Sequence, residues 1–190
     1  MHAEDTPQGV YYLKDGYVRL FSVSDLGKEL SLNIFKPGSF FPMTWAIADV
    51  PNRYFFEALT DVAVLRMPKD EVVEFLKREP DILLDLTRRI LVGLEATLAR
   101  IQYLISGSAS EKVAATILML GKRFGKAKNK KVAITLRITH KDIANFAGLT
   151  RETASQEIKK LEEKGLIEQK HQHLLIRDVQ KLQKESQLNY

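Results

Sequence analysis

The stretch ITHKDIANFAGLTRETASQEIKKLEEKGLI, residues 138–167, constrains the fold more than any other part of the chain. Thr139 stands where a side-chain oxygen caps a helix, and the segment HKDIANFA places Ile143, Phe146 and Ala147 on its inward side. Gly148 offers the left-handed backbone that ends a helix. Thr150 can cap a second helix, whose buried side is marked by Ala154, Ile158 and Leu161. After Gly165, the segments LIEQK and HLLIR around HQ read as a small β-hairpin. Helix, glycine turn, helix and hairpin make a helix-turn-helix with a wing. The second helix opens on Thr150, Arg151, Glu152, Thr153, Ser155 and Gln156, so its leading edge turns hydrogen-bonding groups outward.

Charge sharpens this. Residues 107–190 carry 17 Lys+Arg against 9 Asp+Glu, a balance of +8. Residues 1–106 carry 12 against 15, a balance of −3. The formal charge of +5 therefore belongs to the C-terminal part, and a basic domain of this kind suits an anionic polymer or surface. That part opens with a helix through EKVAATILMLGKRFG, followed by the lysine-rich KAKNKK and the strand-like VAITL.

Before it lies one long helix, DILLDLTRRILVGLEATLARIQYLIS, starting after Pro80. Alternating steps of three and four lead from Leu84 to Thr87, Leu91, Leu94, Leu98, Ile101 and Ile105, and six of these seven positions are apolar, as in a coiled-coil seam. Leu83, Leu86 and Ile90 form a second row, suited to packing on the preceding domain. Two rows leave one for a partner, so a parallel homodimer is expected through Leu84, Leu91, Leu94, Leu98, Ile101 and Ile105. Gly93, at a cost of about 1 kcal/mol against Ala inside a helix, permits close helix approach. Ser106 and Gly107 break the helix, and Ser108 with Glu111 has the form of a capping box, which makes the joint either a hinge or a plain loop.

The first 67 residues read as short strands: GVYYL and YVRLFSV around KDG, then LSLNIF, the turn KPGSFF, YFFEAL and VAVLRM. Such spacing argues for an antiparallel sandwich or barrel. Pro68 then opens a short helix, KDEVVEFLKRE. The expected division is 1–80, 81–106 and 107–190. The apolar runs are too short for a membrane helix of ~20 residues, no signal segment opens the chain, and a cytoplasmic location is expected. With no cysteine, disulfides, thiolate zinc sites and cysteine-ligated iron–sulfur clusters are excluded.

These motifs resemble the CRP/FNR family of bacterial transcription regulators. The specific match is DIA…GLTRETAS…L…G.I, supported by GVYYLKDGYVRL, PGSFF and REPDILLDL. The resemblance implies an α+β chain: an antiparallel β jelly-roll domain of the cyclic-nucleotide-binding kind, a dimerisation helix and a winged helix-turn-helix. The family usually carries another strand or two before GVYYL, so the chain is expected to be a shortened one. Double-stranded DNA is the implied partner, with RNA polymerase added for an activator. By this resemblance Arg151 reads guanine O6 and N7, Glu152 accepts from cytosine N4, and Ser155 lies near thymine. Gln156 departs from the usual arginine and suits adenine or phosphate. His140, Lys141, Thr150, Lys159, Lys170, His171 and His173 are expected on the DNA backbone.

The sensor side departs further. Members that bind cyclic AMP carry a glycine–glutamate pair after the PG.FF turn and an arginine followed by a small hydroxyl residue. Here Pro42 and Met43 follow PGSFF, the arginine position falls on Asn52, and Arg53 and Tyr54 come next. Thr97 matches a base-contacting residue, but its neighbour is Leu98. Control by cyclic AMP is therefore not expected. His2 is the only histidine before residue 140, a weak basis for haem and too few for the metal of a cupin enzyme. His171 and His173 have no third histidine nearby in sequence, so no zinc site is expected there, and no cofactor is assigned. Two versions stay open: a small effector held by Phe40, Phe41, Trp45, Tyr54 and Phe56, or DNA binding without an effector. A winged helix that binds protein is the reading from another class.

Overall fold

The computed structural model describes residues 1–129, 131–170 and 173–186 of the 190-residue chain. They form two compact units, 1–94 and 95–190, and the division falls inside the long helix.

The first unit contains β1 (Val10–Asp15), β2 (Val18–Val23), β3 (Glu29–Phe35), β4 (Phe40–Phe41), α1 (Met43–Ala48), β5 (Phe55–Ala58), β6 (Ala63–Met67) and α2 (Lys69–Arg78), and the long helix α3 (Pro80–Ser106) begins in it. Two antiparallel three-stranded sheets, ordered β4-β1-β6 and β3-β2-β5, share one core. Leu13 and Phe41 from the first sheet pack with Val18, Phe35 and Phe56 from the second. The Phe41 ring lies 4.9 Å from Phe35 and 5.3 Å from Phe56, in stacked arrangements. The β1–β2 turn requires Gly16: its φ is +83°, and a Cβ there would sit 2.2 Å from the Asp61 carbonyl oxygen. This is the expected jelly-roll type of sandwich within an α+β chain.

A second cluster, Val10, Ala46, Val72 and Leu76, joins β1 to α1 and α2, with Met43, Trp45 and Leu86 packed against it. Leu86 alone of the expected second row rests there. Leu83 and Ile90 remain 40% and 51% exposed. Helix α1 was not expected from the sequence. Its six residues are too few to show periodicity, and only Ala46 among them is buried. Pro68 is the N-cap of α2, one position before its first helical residue.

The second unit continues with α4 (Ala109–Phe124), β7 (Gly125–Lys128), β8 (Lys131–Ile134), α5 (His140–Ala147), α6 (Arg151–Glu163), β9 (Ile167–Lys170), β10 (His173–Ile176) and α7 (Val179–Ser186). Its sheet has the order β7-β8-β10-β9. Ile117 and Leu120 of α4, Ile143 and Ile158 of the helix pair, and Leu174 and Ile176 of the wing are all fully buried. The capping box at the start of α4 is present: the Ser108 amide donates to Glu111 Oε2 at 2.6 Å and the Glu111 amide to Ser108 Oγ at 3.3 Å. Strand β7 falls where the sequence shows the end of the expected helix, Gly125, and the start of the lysine-rich stretch, to which no strand was assigned. Pairing with β8, from Gly125 opposite Ile134 to Lys128 opposite Lys131, overrides the poor strand propensity of glycine and lysine, and lysines suit an edge strand.

Candidate nucleic-acid interface

The helix-turn-helix is assembled from local hydrogen bonds. Asp142 N–H donates to Thr139 Oγ1 at 3.1 Å, and the Thr139 amide returns a bond to Asp142 Oδ2 at 2.8 Å, which closes a capping box at α5. Gly148 caps the other end with φ 64° and ψ 33°, where a Cβ would be strained. Thr150 then caps α6 by accepting from the Thr153 amide at 3.2 Å. Ala154, Ile158 and Leu161 are fully buried, which rotates Arg151, Glu152 and Gln156 to the exposed side.

Of the expected base-reading set, Arg151, Glu152 and Gln156 are exposed, and Ser155 is half-buried behind them on the same helix. Of the expected backbone set, Lys141, Thr150, Lys159 and His173 are exposed. His171 and the side chain of Lys170 lie outside the described residues. His140 is half-buried, with Nδ1 2.8 Å from Ser155 Oγ and Nε2 2.9 Å from Gln169 Oε1. Gln169 Nε2 in turn donates to the Ile138 carbonyl at 3.1 Å, and the Gln169 amide N–H donates to Glu162 Oε1 at 2.9 Å. The wing strand is thus tied to both helices of the motif. Sequence reasoning had not singled out Gln169, and its alternation on a short strand carries no sign of this role.

Arg100, near the end of α3, is buried, and its Nη2 donates to the Phe146 carbonyl in the last turn of α5 at 2.6 Å. The guanidinium also lies 5.2 Å from the Phe146 ring centre. Burial lowers the Arg100 pKa from its ordinary value, while Tyr103 opposes that shift. A cation against the carbonyl end of α5 complements the helix dipole. Asp178 caps α7 through the Lys181 amide at 3.0 Å, and that backbone hydrogen bond holds its carboxyl below the usual carboxylate range.

Along α3 the expected interface row, Leu84, Leu91, Leu94, Leu98, Ile101 and Ile105, is 46–79% exposed. Isolated exposed leucines are ordinary, but a continuous row along one helix is not. In the first unit, the aromatic residues expected around an effector separate. Phe41 and Phe56 stack in the sandwich core, Trp45 joins the α1–α2 cluster, Phe40 pairs with Tyr12, and Tyr54 is exposed. Asn52 is buried, its Nδ2 donating to the carbonyls of His2 at 2.8 Å and Tyr54 at 3.0 Å.

An antiparallel sandwich joined through a long helix to a winged helix-turn-helix with an exposed polar leading edge defines a DNA-binding transcription regulator. The C-terminal part, residues 111–185, matches the model of the Crp-like helix-turn-helix domain, and residues 1–79 match that of the cyclic nucleotide-binding domain. The chain belongs to the CRP/FNR family of transcriptional regulators. It is 31% identical over 157 residues to the transcriptional regulator SdrP of Thermus thermophilus, covering 83% of this chain and 73% of that protein. It is likewise 31% identical over 168 residues to the transcriptional activatory protein AadR of Rhodopseudomonas palustris, covering 86% and 67%. A solved CRP/FNR-family transcriptional regulator from Thermus thermophilus superposes with a TM-score of 0.75 at 26% identity, covering 100% of this chain and 98% of that one. Among the described residues, no helix is long and apolar enough to cross a membrane.

Proposed function

We propose that two copies of the chain, joined along α3, bind a two-fold symmetric DNA site and regulate transcription there. Residues 107–190 bind DNA, residues 81–106 hold the dimer, and residues 1–80 are the sensor-like domain. The observation that carries this reading is the disposition of α6. One side is locked into the core by Ala154, Ile158 and Leu161, and the other presents Arg151, Glu152 and Gln156 from a capped N-terminus. A recognition helix enters the major groove with just those leading residues on base edges. Arg151 reads guanine, Glu152 accepts from cytosine N4, and Gln156 reads adenine or binds phosphate. Lys141, Thr150, Lys159, Lys170, His171 and His173 hold the DNA backbone.

The same reading makes the chain a cytoplasmic regulator and not an enzyme, with RNA polymerase as partner when it activates. Cyclic AMP does not control it. The side chain at the expected arginine position, Asn52, is spent on the carbonyls of His2 and Tyr54, and Met43 packs into the α1–α2 cluster. The dispersal of the five aromatic residues favours DNA binding without an effector.

Selection of binding sites from random duplexes tests the proposal. The expected product is a palindrome with half-site centres ~34 Å apart, one turn of the double helix. Recovery of unrelated sequences with uniform affinity would refute sequence-specific recognition.

A further inference from the structure

The hydrogen bonds around His140 leave little freedom in their direction. The Ile138 carbonyl can only accept, so the amide nitrogen of Gln169 faces it, and the amide oxygen is turned toward His140. That oxygen can only accept, so His140 Nε2 carries a proton and donates to it. In the neutral ring Nδ1 is then a bare lone pair, and the hydroxyl of Ser155, 2.8 Å away, donates to it. A serine has one hydroxyl proton. With that proton directed inward, the Ser155 oxygen has only lone pairs to offer outward from α6.

We propose that Gln169 and His140 are positioning residues that commit Ser155 to accepting, so that α6 selects an exocyclic amino group at the base pair Ser155 faces. In the major groove the candidates are adenine N6 and cytosine N4, and the acceptors guanine O6 and thymine O4 are disfavoured. The wing, through Gln169, thereby sets base preference at a position it does not touch. His140 serves this relay with both ring nitrogens instead of contacting phosphate through the ring. The inference rests on the reading of α6 as the recognition helix.

The test is site selection from random duplexes with the full chain and its variants, each checked for native helical content by circular dichroism. Ser155→Ala identifies the base pair concerned by lowering its preference roughly three- to tenfold, the size of one hydrogen bond. Gln169→Leu removes the acceptor from Nε2. The ring can then adopt the other tautomer and donate to Ser155, whose hydroxyl becomes free to donate outward. The expected result is a shift at that same base pair toward a base presenting an acceptor, with the preference set by Arg151 unchanged. Gln169→Glu places a carboxylate against Nε2–H and favours the doubly protonated ring, whose Nδ1–H then donates to Ser155, so the same shift toward a base presenting an acceptor is expected. In a Ser155→Ala background, Gln169→Leu should change nothing further at that pair.

An unchanged preference in Gln169→Leu overturns the proposal, as does an equal loss at every base pair, which would make Gln169 merely structural. A Gln169→Leu effect that persists in Ser155→Ala also overturns it. If the wild-type chain selects no sequence at all, the recognition-helix reading fails first and takes this inference with it.

Discussion

Leu98 lies in the middle of the exposed row on α3 and is 52% exposed in the single chain. Burying a leucine side chain fully stabilises by about 1.5–3 kcal/mol, so covering the remaining half contributes about 0.8–1.5 kcal/mol per copy. In a parallel pair, the two copies of one seam position face each other. Replacing Leu98 by Glu therefore removes about 1.6–3 kcal/mol from a dimer and places two carboxylates together in an apolar seam. Their desolvation and repulsion add at least about 1–2 kcal/mol. The combined loss of roughly 3 kcal/mol or more raises the dimer dissociation constant at least ~100-fold. Glutamate is a good helix former, so helical content should not change. Sedimentation equilibrium over a dilution series measures the constant, and Leu26→Glu, at a position 84% exposed in the β2–β3 loop, is the control. Affinity for the full palindrome should fall in parallel while affinity for an isolated half-site stays the same. A Leu98→Glu protein that dimerises as tightly as wild type would refute the seam.

Other predictions concern DNA, ligand and acid. Arg151→Ala is expected to weaken binding by ~1–3 kcal/mol and relax preference at one base pair, measured by competition among single-substituted duplexes. A uniform loss on every sequence would make Arg151 a phosphate contact. Addition of cyclic AMP should leave DNA affinity unchanged in a fluorescence titration, and a large stimulation would overturn the role given to Asn52. The carboxyl of Asp178 is held below its ordinary value by the Lys181 amide, so its native pKa is below its unfolded one. Its stabilisation is therefore present above the unfolded value, near pH ~4, and lost as pH falls through the lower native value. Asp178→Asn should flatten the pH dependence of unfolding in that acid range, followed by circular dichroism.

Features set by neighbours along the chain were legible in the sequence. The capping box Ser108–Glu111 and the Thr139 cap each close over three residues, and the left-handed Gly148 ends its helix through a bond to Ala144. The inward row Ala154, Ile158 and Leu161 follows from 3.6-residue periodicity, and with it the exposure of Arg151, Glu152 and Gln156. The aromatic residues were legible as apolar but not as neighbours. Phe41 and Trp45 are four apart, and yet the sandwich takes one while the helical cluster takes the other.

The sequence alone therefore determined the winged helix-turn-helix, the strand-rich start, the apolar row along α3 and the polar leading edge of α6. Each rests on spacing within a few residues or on one helical repeat, where backbone geometry dictates which side chains meet. Tertiary structure decided that Leu86 packs while Leu83 and Ile90 do not, and that Asn52 is consumed by carbonyls, one of them 50 residues away. It also turned a lysine-rich stretch into strand β7. Above all it brought His140 to Ser155, 15 residues on, and to Gln169, 29 residues on. A hydrogen bond needs its partners within about 3 Å and in the right orientation. For residues so distant along the chain, only the packing of α5, α6 and β9 around one core supplies that.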